Sequence, residues 1–339
     1  MNAFIESTLR CIFDDDAKDN YTMIQAISRR RFLGTGVAAA TAACFNRSAL
    51  WAQAPPAQQA TDFVTKSRAA NANNKITTTP LRRNVTFIGG AGGNIALLTT
   101  KHGKLLVDSG YSSCQSQLAA ALVAINADPI SVLINTHWHI DHTDGNDWMH
   151  SAGATIWAHE NTRYRMSSTQ HIAAFDATFP PAPTGALPTI LFNTYRSLSD
   201  GENTLKLTHY EPAHTDTDLS VYFTEADIFH CGDTWFNGFY PFIDYSTGGS
   251  INGMIAAASQ NLAAVTDKTI IIPGHGPVGN RAQLNEFHDM LIGVRDNVAK
   301  LKKEGKSLDE TVAAKPTAAY DEKWGQKPAA FIGYVYQGV

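Results

Sequence analysis

Three histidines and an aspartate fall within six residues in Thr136-His137-Trp138-His139-Ile140-Asp141-His142, with Thr143-Asp144-Gly145-Asn146 following. The apolar run Ile130-Ser131-Val132-Leu133-Ile134 comes directly before them and reads as a buried strand. The cluster therefore sits where a strand ends and a loop begins. Neutral imidazoles and a carboxylate suit zinc, and one loop of this spacing can aim its side chains at two adjacent points. A chain with this feature needs a fold that brings further ligands to the end of that strand.

The order His-x-His-x-Asp-His resembles the signature of the metallo-β-lactamase superfamily, and the rest of that family's ligand set recurs further along. The resemblance covers residue 81 to the C-terminus and implies a four-layered αββα sandwich, an α/β fold. It matches His214, in Glu211-Pro212-Ala213-His214-Thr215-Asp216-Thr217-Asp218, to the third ligand of a first metal, in preference to His209. Asp233 follows the apolar strand Ile228-Phe229-His230 and a glycine, and matches the aspartate that bridges both metals. His275, in Ile272-Pro273-Gly274-His275-Gly276-Pro277, matches a ligand of the second metal. The implied first site is His137, His139 and His214; the second is Asp141, His142 and His275, with Asp233 shared. The resemblance also gives Asp108 the part of supporting the metal loop from behind. Three protein ligands per ion leave a position open for water, which marks a catalytic rather than a structural site. Cys231 is a rival ligand, but it lies two residues before Asp233 in an extended strand and reads as packing.

Around these motifs the chain reads as scaffold. Val85–Ile88 and Asn94–Leu98 are strands joined by a glycine-rich hairpin, Gly89 to Gly93, rather than a phosphate loop, since no Lys-Ser/Thr follows. Lys104–Val107 is a buried strand, and Gln115 to Asn126 has helical spacing. Leu284, Phe287, Leu291, Val294, Val298 and Leu301 form one face of a helix that Gly305 stops. Ser307-Leu308-Asp309-Glu310 is a capping box for a short helix ending before Pro316. Residues 55–80 are Ala/Gln/Asn-rich at first and read as a linker or loosely docked arm, so the catalytic domain is expected over 81–339.

The N-terminal 54 residues read as a leader. Ser28-Arg29-Arg30-Arg31-Phe32-Leu33-Gly34 is followed by a short alanine-rich apolar run and by Ala52-Gln53-Ala54, a small-residue cleavage site. The twin arginines look like a Tat signal, which engages machinery that exports folded proteins, and imply a periplasmic or otherwise exported enzyme. The apolar run is too short to span a bilayer stably. A lipoprotein anchored at Cys44 is the competing reading, against which Thr41 stands where a large aliphatic residue is expected. Asp14-Asp15-Asp16 makes the first residues acidic, so translation from Met23 gives a leader of more ordinary length.

Charge narrows the function. Residues 1–54 carry six Lys/Arg and five Asp/Glu, leaving 21 basic and 26 acidic residues downstream, with basic residues at most in adjacent pairs. Such a surface gives nucleic acid nothing to hold. Cys114 and Cys231 are the only cysteines beyond the leader, and the sequence leaves open whether they pair. Two zinc ions sharing a hydroxide would attack the ester, thioester, lactone or lactam carbonyl of a small-molecule substrate. Family members that open β-lactams usually carry Cys or Ser where this chain has Asp233, so β-lactam hydrolysis is the alternative, with an iron-dependent persulfide dioxygenase of the same fold behind it. Trp138, Trp235, Phe236, Phe239, Tyr240 and Phe242 lie in or just after the metal motifs, and form either an aromatic mouth or ordinary core. Oligomeric state is not legible in the sequence.

Overall fold

The computed structural model describes residues 57–325 and 327–339. The expected leader, with its cleavage site, Cys44 and Met23, lies outside the described residues. The segment read as a linker is instead ordered scaffold. It forms helix α1 (Ala57–Asn71) and strand β1 (Thr77–Pro80), the edge of the first sheet, so the domain starts well before residue 81. Val64 of α1 packs among Trp138, Met166 and Phe179, and Arg68 Nε donates to Asp144 at 2.9 Å. The sequence hid this helix because Phe63 and Val64 are its only large apolar residues, and helices of this kind owe their stability to docking.

The first sheet has seven strands in the order β1, β2 (Val85–Gly89), β3 (Ile95–Thr100), β4 (Gly103–Val107), β5 (Ile130–Ile134), β6 (Thr155–His159) and, after the small β7 (Gln170–Ile172) and β8 (Ala177–Phe179) ribbon, β9 (Ile190–Phe192). β2 and β3 form the antiparallel hairpin expected across the glycines, whereas β4, β5, β6 and β9 run parallel. Strand alternation assigns the faces. Ile95, Leu97, Leu106 and Leu133 pack with Leu118 and Leu122 of helix α2 (Gln115–Ile125). Their neighbours Ala96, Leu98, Leu105, Val107, Val132 and Ile134 are also buried and point to the opposite face.

The second sheet runs β10 (Tyr195–Ser199), β11 (Thr204–His209), β12 (Leu219–Phe223), β13 (Ile228–His230) and β14 (Ile270–Ile272), with only the last pair parallel. Phe229 and Ile271 face outward onto a core shared with four helices. Numbering the remaining helices in chain order, α3 (Ile140–Thr143), α4 (Asn146–Ser151) and α5 (Glu160–Met166) follow the metal loop and β6, and α6 (Ile251–Ala264) precedes β14. α7 (Arg281–Lys303) buries the expected face of Leu284, Phe287, Leu291, Val294 and Val298. Its start carries a capping box from Asn280 and Gln283, and Gly305 beyond its end takes φ +83°. The Ser307–Glu310 box opens α8 (Leu308–Ala313) as expected. α9 (Asp321–Trp324) and α10 (Pro328–Gly338) complete the layer over the second sheet. Helices thus lie outside two sheets whose inner faces are apolar, the αββα sandwich. No helix among the described residues is long and apolar enough to cross a membrane. Cys114 and Cys231 are both buried and free.

Candidate metal centre

Parallel strands deliver the site. Asp108 directly follows β4 and the histidine loop follows its parallel neighbour β5, while Asp233 and His275 follow the parallel pair β13 and β14. Loops at the carboxyl ends of neighbouring parallel strands emerge on one edge of a sheet, which is why such edges carry sites. His214 arrives from the β11–β12 connection. The two sheets are stitched together here: the Asn94 backbone N–H donates to Gly274 O at 2.8 Å, and its side chain to Pro273 O and Gly276 O at 2.9 and 2.8 Å. Across the gap, Leu219 N–H donates to Thr136 O at 2.9 Å.

All seven residues singled out in the sequence converge. His137, His139 and His214 present ring nitrogens to one point, and an Asp141 carboxylate oxygen with ring nitrogens of His142 and His275 meets at another, the ligand atoms of each set lying within 4.8 Å of one another. Asp233 stands between: its Oδ1 is 3.1 Å from His142 Nε2, and its Oδ2 is 3.3, 3.4 and 3.9 Å from Nε2 of His275, His214 and His137. Asp141 Oδ2 is 3.1 Å from His275 Nε2. His137 and His142 are fully buried, whereas the Asp141 and His275 side chains are 22% and 23% exposed, so the second set faces the opening.

The outward nitrogens of His142, His139 and His214 are already committed. His142 Nδ1 meets Asp108 Oδ2 at 2.7 Å, His139 Nε2 meets Asp244 Oδ2 at 3.0 Å, and His214 Nδ1 meets the Phe242 carbonyl at 2.9 Å. These partners accept, so each ring keeps its proton outward and turns a bare lone pair inward. At the first point the inward nitrogens then face one another without donors. His139 Nδ1 and His214 Nε2 are 2.9 Å apart, and the buried His137 Nε2 and Asp233 Oδ1 have no hydrogen-bond partner. Buried lone pairs gathered this way repel unless a proton or a cation lies between them. Nitrogen and carboxylate donors at two adjacent points, backed by carboxylate and carbonyl, fit a pair of metal ions such as zinc.

With no cation present, protons on His142 and His275 take its place beside the carboxylates. Burial alone would push the Asp233 carboxyl up, but the charges of His275, His142, His137 and His214 hold it well below the usual range. Asp141 is pulled down in the same way, chiefly by His142 and His275. Burial opposes protonation of His275 and His142, yet the carboxylates win: His275 rises to about 9 and His142 well above its ordinary value. His137 and His214 are driven down by burial, His214 to about 4, and stay ready to ligate.

The support around the seven was only partly visible in the sequence. Asp108 adopts φ +66° and accepts from Thr136 N–H and Oγ1 at 2.8 and 2.7 Å as well as meeting His142. It supports the histidine loop as the resemblance implied. Asp218 organises the His214 turn, accepting from the backbone N–H groups of His214 and Thr215 at 2.7 and 2.8 Å. Asp244 carries no motif of its own. The rival His209 is elsewhere, its ring stacked on His159 with centroids 3.6 Å apart. Cys231 is fully buried in the core, burial pushes its thiol up, and it joins none of the ligand sets.

A cavity of about 220 Å³ opens over the cluster, floored by His139, Asp141, Asp233 and His275. Of the aromatics noted in the sequence, Phe236 and Phe242 line it. Trp235 and Tyr240 are core, Phe239 packs against that core, and Trp138 is buried with its indole N–H donating to Thr247 Oγ1 at 3.2 Å. Phe63, Phe175 and Phe179 also line the cavity. They were missed because Phe63 lies in the supposed linker and the other two lie far in sequence from any ligand motif.

Comparison with known proteins places this geometry. The sequence profile of the metallo-beta-lactamase superfamily matches residues 88–276. The protein named "Probable metallo-hydrolase YqgX" of Bacillus subtilis (strain 168) is 23% identical over 159 residues, 44% of this chain and 69% of its own length. A hydroxyacylglutathione hydrolase of Polaromonas sp. is 26% identical over 153 residues, and this chain spans half of its length and is itself 44% covered. Among solved structures, a double mutant of the sec-alkyl sulfatase PisA1 superposes with a TM-score of 0.58 at 16% identity, over 81% of this chain and 51% of that one. Identity at that level speaks for the fold alone.

Proposed function

Because the chain belongs to the metallo-beta-lactamase superfamily, we propose that it is an exported, zinc-dependent hydrolase with two metal ions. Its substrate would be an ester, thioester, lactone or lactam. The observation that carries the reading is the convergence of ligand atoms from seven residues on two adjacent points, with the rings of His139, His142 and His214 each held by an outward acceptor. His137, His139 and His214 would hold one ion, Asp141, His142 and His275 the other, and Asp233 both. When bound, such a pair supplies a Lewis acid for the carbonyl oxygen and lowers the pKa of water into the neutral range.

The chain's own residues do the rest. Asp141 Oδ2 lies at the floor of the cavity and can accept a proton of the attacking water, turning its oxygen toward the carbonyl carbon. Asp233, held as a carboxylate by its histidine neighbours, sets the spacing of the two sets. Asp108, Asp244 and the Phe242 carbonyl keep the rings from turning, so no reorganisation is needed as charge develops. Export rests on the twin-arginine leader.

The test is turnover by zinc-loaded protein of a panel of esters, thioesters, lactones and a chromogenic β-lactam. Hydrolysis that a chelator abolishes and zinc restores supports the reading, and the panel member turned over names the branch. Protein shown to hold two zincs that hydrolyses none of them overturns it, and one bound iron with oxygen uptake on a persulfide would assign the dioxygenase alternative.

A further inference from the structure

The cavity over the cluster has an unusual wall. Phe63 of α1 stacks on Phe175 with ring centroids 5.4 Å apart and planes 15° from parallel. Phe175 in turn meets Phe242 at 4.6 Å, and Phe63 meets Phe179 edge-on at 5.6 Å. Phe236, also in the lining, stacks on His275 at 5.3 Å. Phe242 is tied to the metal cluster through the carbonyl that accepts from His214. Among the described residues lining this cavity there is no lysine and no arginine. Phe175 is 42% exposed although phenylalanine ordinarily leaves water, so a ring stands at the rim where a substrate could cover it.

Size and polarity then limit what can enter. An apolar cavity of about 150 Å³ takes a benzene ring, so about 220 Å³ leaves room for one aryl ring or a short alkyl chain beside the reacting group. A carboxylate on that arm would lose its water against five phenylalanines and find no lysine or arginine beside it in exchange. We propose that this mouth selects a neutral substrate bearing an aryl or short alkyl arm, and that Phe175, with Phe63 and Phe242, sets the preference. The proposal names the substrate class of the hydrolase reading above and rests on it. It also gives α1 a role beyond scaffold, since one wall of the mouth comes from the segment next to the leader.

Two readouts on the zinc-loaded full chain test it. One is kcat/KM for 4-nitrophenyl phenylacetate against the 4-nitrophenyl monoester of succinate. The other, free of turnover, is calorimetric binding of phenylacetohydroxamate against succinic monohydroxamate. The neutral aryl compound should win by about tenfold or more in both, on the scale at which apolar pockets discriminate. Phe175→Ala should weaken the aryl hydroxamate several-fold and leave the succinic one unchanged, and Phe175→Lys should narrow the gap between them. Equal binding of the two hydroxamates, or an aryl affinity indifferent to Phe175→Ala, overturns the proposal. Discrimination in binding without turnover of either ester or of any member of the panel above would remove the hydrolase reading and keep the mouth; equal turnover of both esters would do the reverse.

Discussion

His139 Nδ1 and His214 Nε2 stand 2.9 Å apart, and with Asp244 and the Phe242 carbonyl taking the outward protons neither nitrogen has one to give the other. The pair is at ease only with a cation between its lone pairs. Stripping the protein with a chelator should therefore lower its thermal midpoint by several degrees, and zinc should restore it, because a ligand bound only by the folded state stabilises that state. His214→Ala should reduce the zinc measured per chain from two to one by elemental analysis. A midpoint indifferent to chelator would contradict the metal-centre reading.

Asp108→Asn separates support from ligation. Asp108 occupies the left-handed region, which asparagine also tolerates, so the variant keeps the fold. It loses the negative charge that accepts from Thr136 and orients His142. Outer partners of this kind are worth 10- to 100-fold in metal affinity. A competition titration should show a loss in about that range, with the far-ultraviolet circular dichroism unchanged.

Gly93 lets the β2–β3 turn lie against the His142 ring, and a Cβ at that position would overlap ring atoms of His142. The ring cannot swing aside without leaving Asp108. Gly93→Ala should destabilise the protein by about 1–3 kcal/mol, the ordinary cost of overpacking, and weaken metal binding with it. Chemical denaturation and zinc content would both report the change; a wild-type zinc content would show that the loop yields.

The stacked His159–His209 pair predicts a pH dependence away from the metals. Burial first, and then the neighbouring His159, lower His209 to about 4, while the unfolded side chain titrates near 6.5. Unfolded protein thus binds more protons, and the contribution of His209 is complete above about pH 6.5 and is lost as pH falls toward 4. Allowing for its partial exposure, this amounts to about 1–2 kcal/mol. Denaturation of His209→Gln should show a shallower loss of stability between pH 7 and pH 4 than the parent; equal slopes would count against it.

What the sequence determined by itself was the chemistry and its order along the chain. Histidine and aspartate at fixed offsets after apolar strands announce donors at strand ends, because a strand's alternation and a loop's spacing are local properties. His137, His139, Asp141, His142, His214, Asp233 and His275 were legible for that reason. Helix α7 was legible too, since its apolar face repeats within one element. Only the tertiary structure decided which outward partner fixes each ring, as with Asp244, which lies 105 residues from His139. It also turned the supposed linker into α1 and assembled the phenylalanine wall from segments that share no motif. Those features depend on contacts between distant parts of the chain, which no local pattern encodes, and they shape the mouth through which a substrate must pass.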